Sequence, residues 1–158
     1  EISACLVGSE MCIRDRILKA EIAWMCTGNP YIGVPGVSNH KGLETVLRKL
    51  KEQGLKRVYE CYDMDKMMEL SCKHDEKSAC RQCEHGIYLY HGECPRKRRK
   101  RDMIRKGCIK LYEICEELNV SCKRVTWDTD ASGTWMEQYK GVDDWILQKE
   151  EKGNRKTA

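Results

Sequence analysis

Lys56-Arg57-Val58-Tyr59-Glu60-Cys61-Tyr62-Asp63-Met64-Asp65 is an extended run that ends on two carboxylates. Val58, Tyr59 and Tyr62 are strand formers, so Lys56 to Tyr62 is expected to be a strand. Upstream, Leu43, Val46, Leu47 and Leu50 recur at helical spacing and mark a helix ending at Gly54. Tyr31 to Val34 is a short strand, broken into a loop by Pro35-Gly36. Ile17 to Cys26, with Leu18, Ile22 and Met25 on one face, is a helix stopped by Gly28-Asn29-Pro30. Downstream, Ile104, Cys108, Leu111, Cys115 and Leu118 form the stripe of a longer helix, and Cys122 to Trp127 is another strand. Asp128 to Tyr139 reads as a polar loop, and Gly141 to Gln148 as a last short helix. Helices alternating with strands at this spacing predict an α/β fold: a Rossmann-like parallel sheet flanked by helices.

In such sheets function gathers at the carboxyl ends of the strands. Asp63 and Asp65 stand there. Carboxylates two residues apart on an extended end point to one side, where both reach one hard cation. Mg²⁺, or Mn²⁺ in its place, takes one or two carboxylates plus waters and substrate phosphates. The alternative is a solvated acidic turn. A second pair, Asp143-Asp144, opens the last helix, where it serves either a metal or the positive end of the helix dipole.

The 158 residues are 41% apolar and 34% charged, with a net charge of +4. Together with a mean hydropathy of −0.69, this is a globular composition, neither fibrous nor disordered. No stretch approaches the ~20 apolar residues of a membrane span. Any nucleic-acid affinity must come from a local patch. One is present: Arg96-Lys97-Arg98-Arg99-Lys100-Arg101, followed by Arg105-Lys106. Such a run is either a solvated face or a phosphate-binding track for DNA or RNA, acting through counterion release.

The chain has 11 cysteines. The odd count and the lack of a basic-then-apolar leader point to reducing, cytoplasmic surroundings. Cys26, Cys61, Cys108, Cys115 and Cys122 fall on apolar faces and read as core residues. Cys72, Cys80, Cys83 and Cys94 instead give C-x₇-C-x₂-C-x₁₀-C inside a stretch too poor in apolar residues to order itself. Four thiolates suit tetrahedral Zn²⁺, with His74, His85 and His91 in reserve. The alternative is a reduced loop with surface thiols.

Two resemblances complete the reading. Leu6 to Asp15, LVGSEMCIRD, resembles the translated end of a sequencing-library transposon adapter, so 1–16 is expected to be adapter-derived and outside fold reasoning. Ile17-Leu18-Lys19-Ala20-Glu21-Ile22-Ala23, Ile32-Gly33-Val34-Pro35-Gly36-Val37, Tyr62-Asp63-Met64-Asp65 and Lys140-Gly141-Val142-Asp143-Asp144 follow the order of Toprim-like domains. They are most similar to the family attached to phage and plasmid primase–helicase proteins. The resemblance implies a Toprim-like domain over 17–148, a cysteine-rich insertion over 69–100 and a polar tail over 149–158. It implies Mg²⁺-dependent phosphoryl transfer on nucleic acid, with Asp63 and Asp65 holding the metal, Lys19 in the catalytic set, and helicase and primase domains as partners on the rest of the parent chain. The family's Glu-Gly, whose Glu acts as general acid/base, would precede Ile17. Asp15 and Arg16 occupy those positions, so this chain is expected to be impaired. Met11-Cys12-Ile13 is apolar enough to supply a short strand in place of the lost one. A nuclease or topoisomerase-like use of the same site, and a non-catalytic zinc-containing nucleic-acid-binding module, are the alternatives.

Overall fold

The structure, a computed structural model, describes residues 10–14, 16–71, 83 and 93–154. Four strands form one sheet in the order β2-β1-β3-β4, all parallel. They are β1 (Glu10–Arg14), β2 (Tyr31–Gly33), β3 (Arg57–Glu60) and β4 (Ser121–Arg124). The helices are α1 (Ile17–Thr27), α2 (Lys41–Glu52), α3 (Pro95–Glu117) and α4 (Val142–Asn154), with a 3-10 turn at Met64–Met67. The α/β class and parallel sheet expected from the sequence are present. None of the helices among the described residues is long and apolar enough to cross a membrane.

The period-2 alternation of β1 assigns the two faces of the sheet. Met11 and Ile13 are buried in the main core with Leu43, Leu47 and Leu50 of α2 and Ile104, Cys108, Leu111 and Ile114 of α3. On the other face Cys12 packs toward Ala20 and Ala23 of α1, Tyr31, and Ile146 of α4. A further cluster, Cys61, Met64, Trp127, Trp135 and Val142, fills the carboxyl edge of the sheet. The strand within the adapter-like segment is one of the two inner strands of the sheet, hydrogen-bonded to β2 and β3.

Several details depart from the sequence reading. The buried face of α1 is Ala20 and Ala23, whereas Leu18 is 66% and Met25 77% exposed. The small residues face inward because α1 lies very close to β2: a Cβ on Gly33 would stand 2.4 Å from Ile17 Cα. The long helix begins at Pro95, so the cationic run lies inside α3 rather than before it. Pro suits the first helical position, and Arg and Lys are good helix formers. The last helix extends to Asn154, into the segment read as a polar tail over 149–158. Of the cysteines read as core, Cys61, Cys108 and Cys115 are buried, and Cys26 and Cys122 are half-buried.

Candidate functional site

The strand order fixes where a crevice opens. From β1 the chain crosses to β2 on one side, and from β3 it crosses to β4 on the other. The two connections part between the carboxyl ends of β1 and β3, the topological switch point where open α/β sheets bind ligands. Asp63 and Asp65 leave β3 at that point, and Arg16 follows β1 there. A cleft of about 620 Å³ opens there, lined by both aspartates with the Pro35–His40 loop, Arg16, Lys100, Met103, Ile104 and Lys140. Its two walls are held together by a close approach. A Cβ on Gly107 of α3 would stand 2.7 Å from the Val37 carbonyl oxygen, so only glycine lets α3 sit this near the loop.

Both carboxylates are buried, Asp63 at 2% exposure and Asp65 at 1%. Burial of charge demands partners, and lysines supply them. Lys19 Nζ donates to Asp63 Oδ1 at 2.7 Å. Lys140 Nζ lies 3.0 Å from both Asp63 Oδ2 and Asp65 Oδ2. Lys100 Nζ, from the cationic run on α3, lies 3.2 Å from Asp65 Oδ2. Burial pushes the Asp63 carboxyl up, but its hydrogen bonds to Lys19 and Lys140 outweigh this and hold it below the usual range. Burial pushes Lys140 down, and the same two carboxylates more than reverse it, leaving Lys140 above the ordinary lysine value. Asp65 Oδ2 is buried and receives no hydrogen bond of good geometry, despite its two ammonium neighbours.

The turn bearing Asp65 is anchored from below. Lys66, fully buried, donates to Glu60 Oε1 at 2.8 Å and to the Val125 carbonyl at 3.0 Å. Glu60 also accepts from the Tyr62 backbone N–H at 2.8 Å and from the Tyr112 hydroxyl at 3.0 Å. Lys140 is placed by the loop before α4. Its carbonyl accepts from Met64 N–H at 2.9 Å. Asp128 closes that loop by accepting from the backbone N–H groups of Gln138 and Tyr139 at 2.7 and 2.9 Å. The Trp127 and Trp135 indoles both donate to the Tyr139 carbonyl. Asp130 shapes the same loop by accepting from the backbone N–H groups of Ser132 and Thr134 at 2.9 and 3.0 Å.

Asp143, the other acidic candidate, is not beside the pair. It accepts from buried Arg14 at 2.7 Å, and Arg14 also donates to the Lys19 carbonyl at 2.9 Å. This ion pair ties β1, α1 and α4 together just behind Lys19. Asp144 is exposed in the first turn of α4.

The buried two-carboxylate set fits a hard divalent cation, which takes one or two carboxylates, once the ammonium groups on their oxygens move aside. Among the described residues no three His, Cys, Asp or Glu side chains converge as a fuller cage. Asp15, which follows β1, lies outside the described residues. The three lysines decide how such a cation would enter. A unit charge pair at 4 Å and an effective dielectric near 20 is worth roughly 4 kcal/mol, and a dication doubles it. Ammonium groups left in place would therefore oppose the metal by several kcal/mol each.

Of the expected zinc ligands, Cys72 and Cys80 lie outside the described residues, as do His74, His85 and His91. Cys83 and Cys94 are half-buried and free. The cationic run is spread over the first two turns of α3. Arg96, Arg98, Arg99 and Lys100 are exposed, and Lys97 and Arg101 half-buried. Lys97 donates to the Ser71 carbonyl at 3.2 Å, Arg98 pairs with Glu93, and Arg101 Nε lies 3.9 Å from Asp102. Only Lys100 of the six reaches the carboxylates. From sequence, Lys100 and Lys140 belong to a basic run and a family motif, and nothing links either to Asp65. The link depends on α3 starting at Pro95, which makes the run helical and brings Lys100 to the cleft.

Comparison of the chain with protein-family models gives no match, and comparisons with curated proteins and with solved structures likewise give none.

Proposed function

We propose that the chain is a Toprim-like domain of a primase-type, mobile-element DNA replication protein whose intact parent carries out Mg²⁺-dependent phosphoryl transfer on nucleic acid, this chain being impaired because Asp15 and Arg16 stand in the positions of the family's Glu-Gly. The observation carrying this reading is the buried Asp63–Asp65 pair at the switch-point crevice, with Lys100 of α3 reaching Asp65. Bound Mg²⁺ would polarise a phosphoryl oxygen and offset charge developing on it. Asp63 and Asp65 would hold it. Lys19, tied to Asp63, would keep that carboxylate ionised and oriented. Arg96 to Arg101 would track the phosphate backbone without reading bases. Helicase and primase domains of the parent chain, cytoplasmic location, and Zn²⁺ on Cys72, Cys80, Cys83 and Cys94 belong to the same proposal. Elemental analysis in reducing buffer tests the zinc.

The excess of three lysines over two carboxylates favours a second reading, a nucleic-acid-binding module without catalysis. One experiment separates the two. The chain is incubated with single-stranded DNA, nucleoside triphosphates and Mg²⁺ or Mn²⁺, beside Asp63→Asn and Asp65→Asn. Metal-dependent product lost in both variants supports the phosphoryl-transfer reading. DNA binding with no product from any of the three supports the module. Equal product from all three refutes the site.

A further inference from the structure

Lys100 and Lys140 reach the carboxylate pair from different elements, α3 and the loop before α4. Their side chains are 47% and 46% exposed, whereas those of Asp63 and Asp65 are 3% and 2%. The lysine heads are therefore the solvent-facing members of a cluster that lines the cleft together with the two carboxylates. Lys19, at 18%, is held further in. Arg16, Ser38, Asn39 and His40 line the outer part of the same cleft and offer donors to an anion. With Asp63 and Asp65 set against Lys19, Lys100, Lys140 and Arg16, cations outnumber carboxylates four to two.

This excess acts oppositely on the two ligands of a phosphoryl-transfer site. A phosphate oxyanion is drawn in. A lone dication is repelled, and it finds Asp65 Oδ2 and Asp63 Oδ2 occupied by ammonium groups. Exposed lysine heads leave an ion pair at little cost. An entering phosphate gives them new acceptors and adds negative charge beside the vacated carboxylates.

We propose that Lys100 and Lys140 couple the two ligands, so that a divalent cation and a phosphate group are taken up together, each raising the affinity for the other. This deepens the metal reading of Asp63 and Asp65 given above and rests on it. Reciprocity is required by linkage, and couplings of this kind run from roughly 5-fold to 150-fold. The lysines act as shutters on the free site and as phosphate ligands on the filled one.

The test is a calorimetric titration of Mg²⁺ into the whole chain, in phosphate buffer and in chloride buffer of equal pH and ionic strength. Heats of Mg²⁺ with phosphate alone are subtracted. The expected result is Mg²⁺ binding tightened by phosphate by roughly 5-fold or more. In Lys100→Gln/Lys140→Gln the dependence on phosphate disappears, and Mg²⁺ binds more tightly in chloride than it does to the unaltered chain. The double variant removes both ammonium neighbours of buried Asp65, so far-ultraviolet circular dichroism checks its fold, and the comparison of the two buffers on the unaltered chain decides the coupling without it. Equal Mg²⁺ affinity in the two buffers, abolished by Asp63→Asn, overturns the coupling while leaving the metal site intact. Weaker binding in phosphate overturns it as well. No Mg²⁺ binding in either buffer, even in the double lysine variant, overturns both the coupling and the metal reading.

Discussion

Replacing Lys66 by Met strikes the anchor beneath the carboxylate turn. Lys66 and Glu60 are both fully buried and 2.8 Å apart. Methionine keeps a stem of similar length beside Trp127, whose ring centroid lies 5.2 Å from the Lys66 Nζ, and removes the ammonium with its hydrogen bond to the Val125 carbonyl. Glu60 is then left buried with the Tyr62 N–H, the Tyr112 hydroxyl and Arg124 at 3.4 Å. Breaking one partner of a buried pair costs roughly 3–5 kcal/mol. Oε1, the oxygen that loses Lys66, keeps the Tyr62 N–H, and Arg124 lies by the carboxylate's other oxygen, so the loss is expected at the low end, about 3 kcal/mol. For a chain of this size that is a fall in Tm of roughly 6–12 °C. Urea unfolding read by tryptophan fluorescence measures it, since Trp127 is in the same cluster. The companion variant Glu60→Gln/Lys66→Met removes both charges and should recover most of the loss, because a buried pair replaced as a unit is often near neutral. A loss under about 1 kcal/mol in Lys66→Met, or strict additivity in the double variant, would show that the pair does not anchor the turn.

Three further outcomes follow from the same geometry. Gly107→Ala should cost about 1–3 kcal/mol in chemical denaturation, because the new Cβ meets the Val37 carbonyl and α3 must move off the cleft loop. The Asp63 carboxyl is depressed in the folded state, so its contribution is present above the ordinary Asp range, near pH 4, and is lost as pH falls through the folded value. Urea midpoints should therefore drop more steeply on acidification in the unaltered chain than in Asp63→Asn. Changing Arg96, Arg98 and Arg99 to Gln should weaken single-stranded DNA binding regardless of sequence. It should also lower the slope of log K against log salt by roughly 0.7 for each phosphate that is no longer neutralised.

The sheet is legible in the sequence because strand formers bounded by Gly and Pro alternate with helical stripes, and β3 is the clearest of them. The carboxyl end of β3 follows from topology alone, so Asp63 and Asp65 are identifiable without coordinates. The lysine partners are not. Lys100 stands in a run of six cations with no apolar periodicity before Ile104 to reveal that they form a helix. Lys140 is visible only as the first residue of a motif, and its contact with both aspartates depends on the turn closed by Asp128. The face of α1 is misleading for a different reason. Leu18, Ile22 and Met25 carry more hydrophobic weight than two alanines, yet the close approach at Gly33 admits only small side chains. Asp143 illustrates a third limit. An acidic pair at a helix start suits the dipole or a metal equally, and neither reading anticipates a buried arginine arriving from β1.

Everything proposed for this protein depends on Asp63 and Asp65 forming a divalent-cation site that opens on a phosphate-binding cleft. Crystals grown in phosphate and soaked in Mn²⁺ test this, through an anomalous difference map at the manganese edge. The expected result is a peak within coordination distance of Asp63 and Asp65 oxygens, with Lys140 and Lys100 drawn off toward a phosphate in the cleft. A map with no peak there at saturating Mn²⁺, and with all three lysines still paired to the carboxylates, would contradict it.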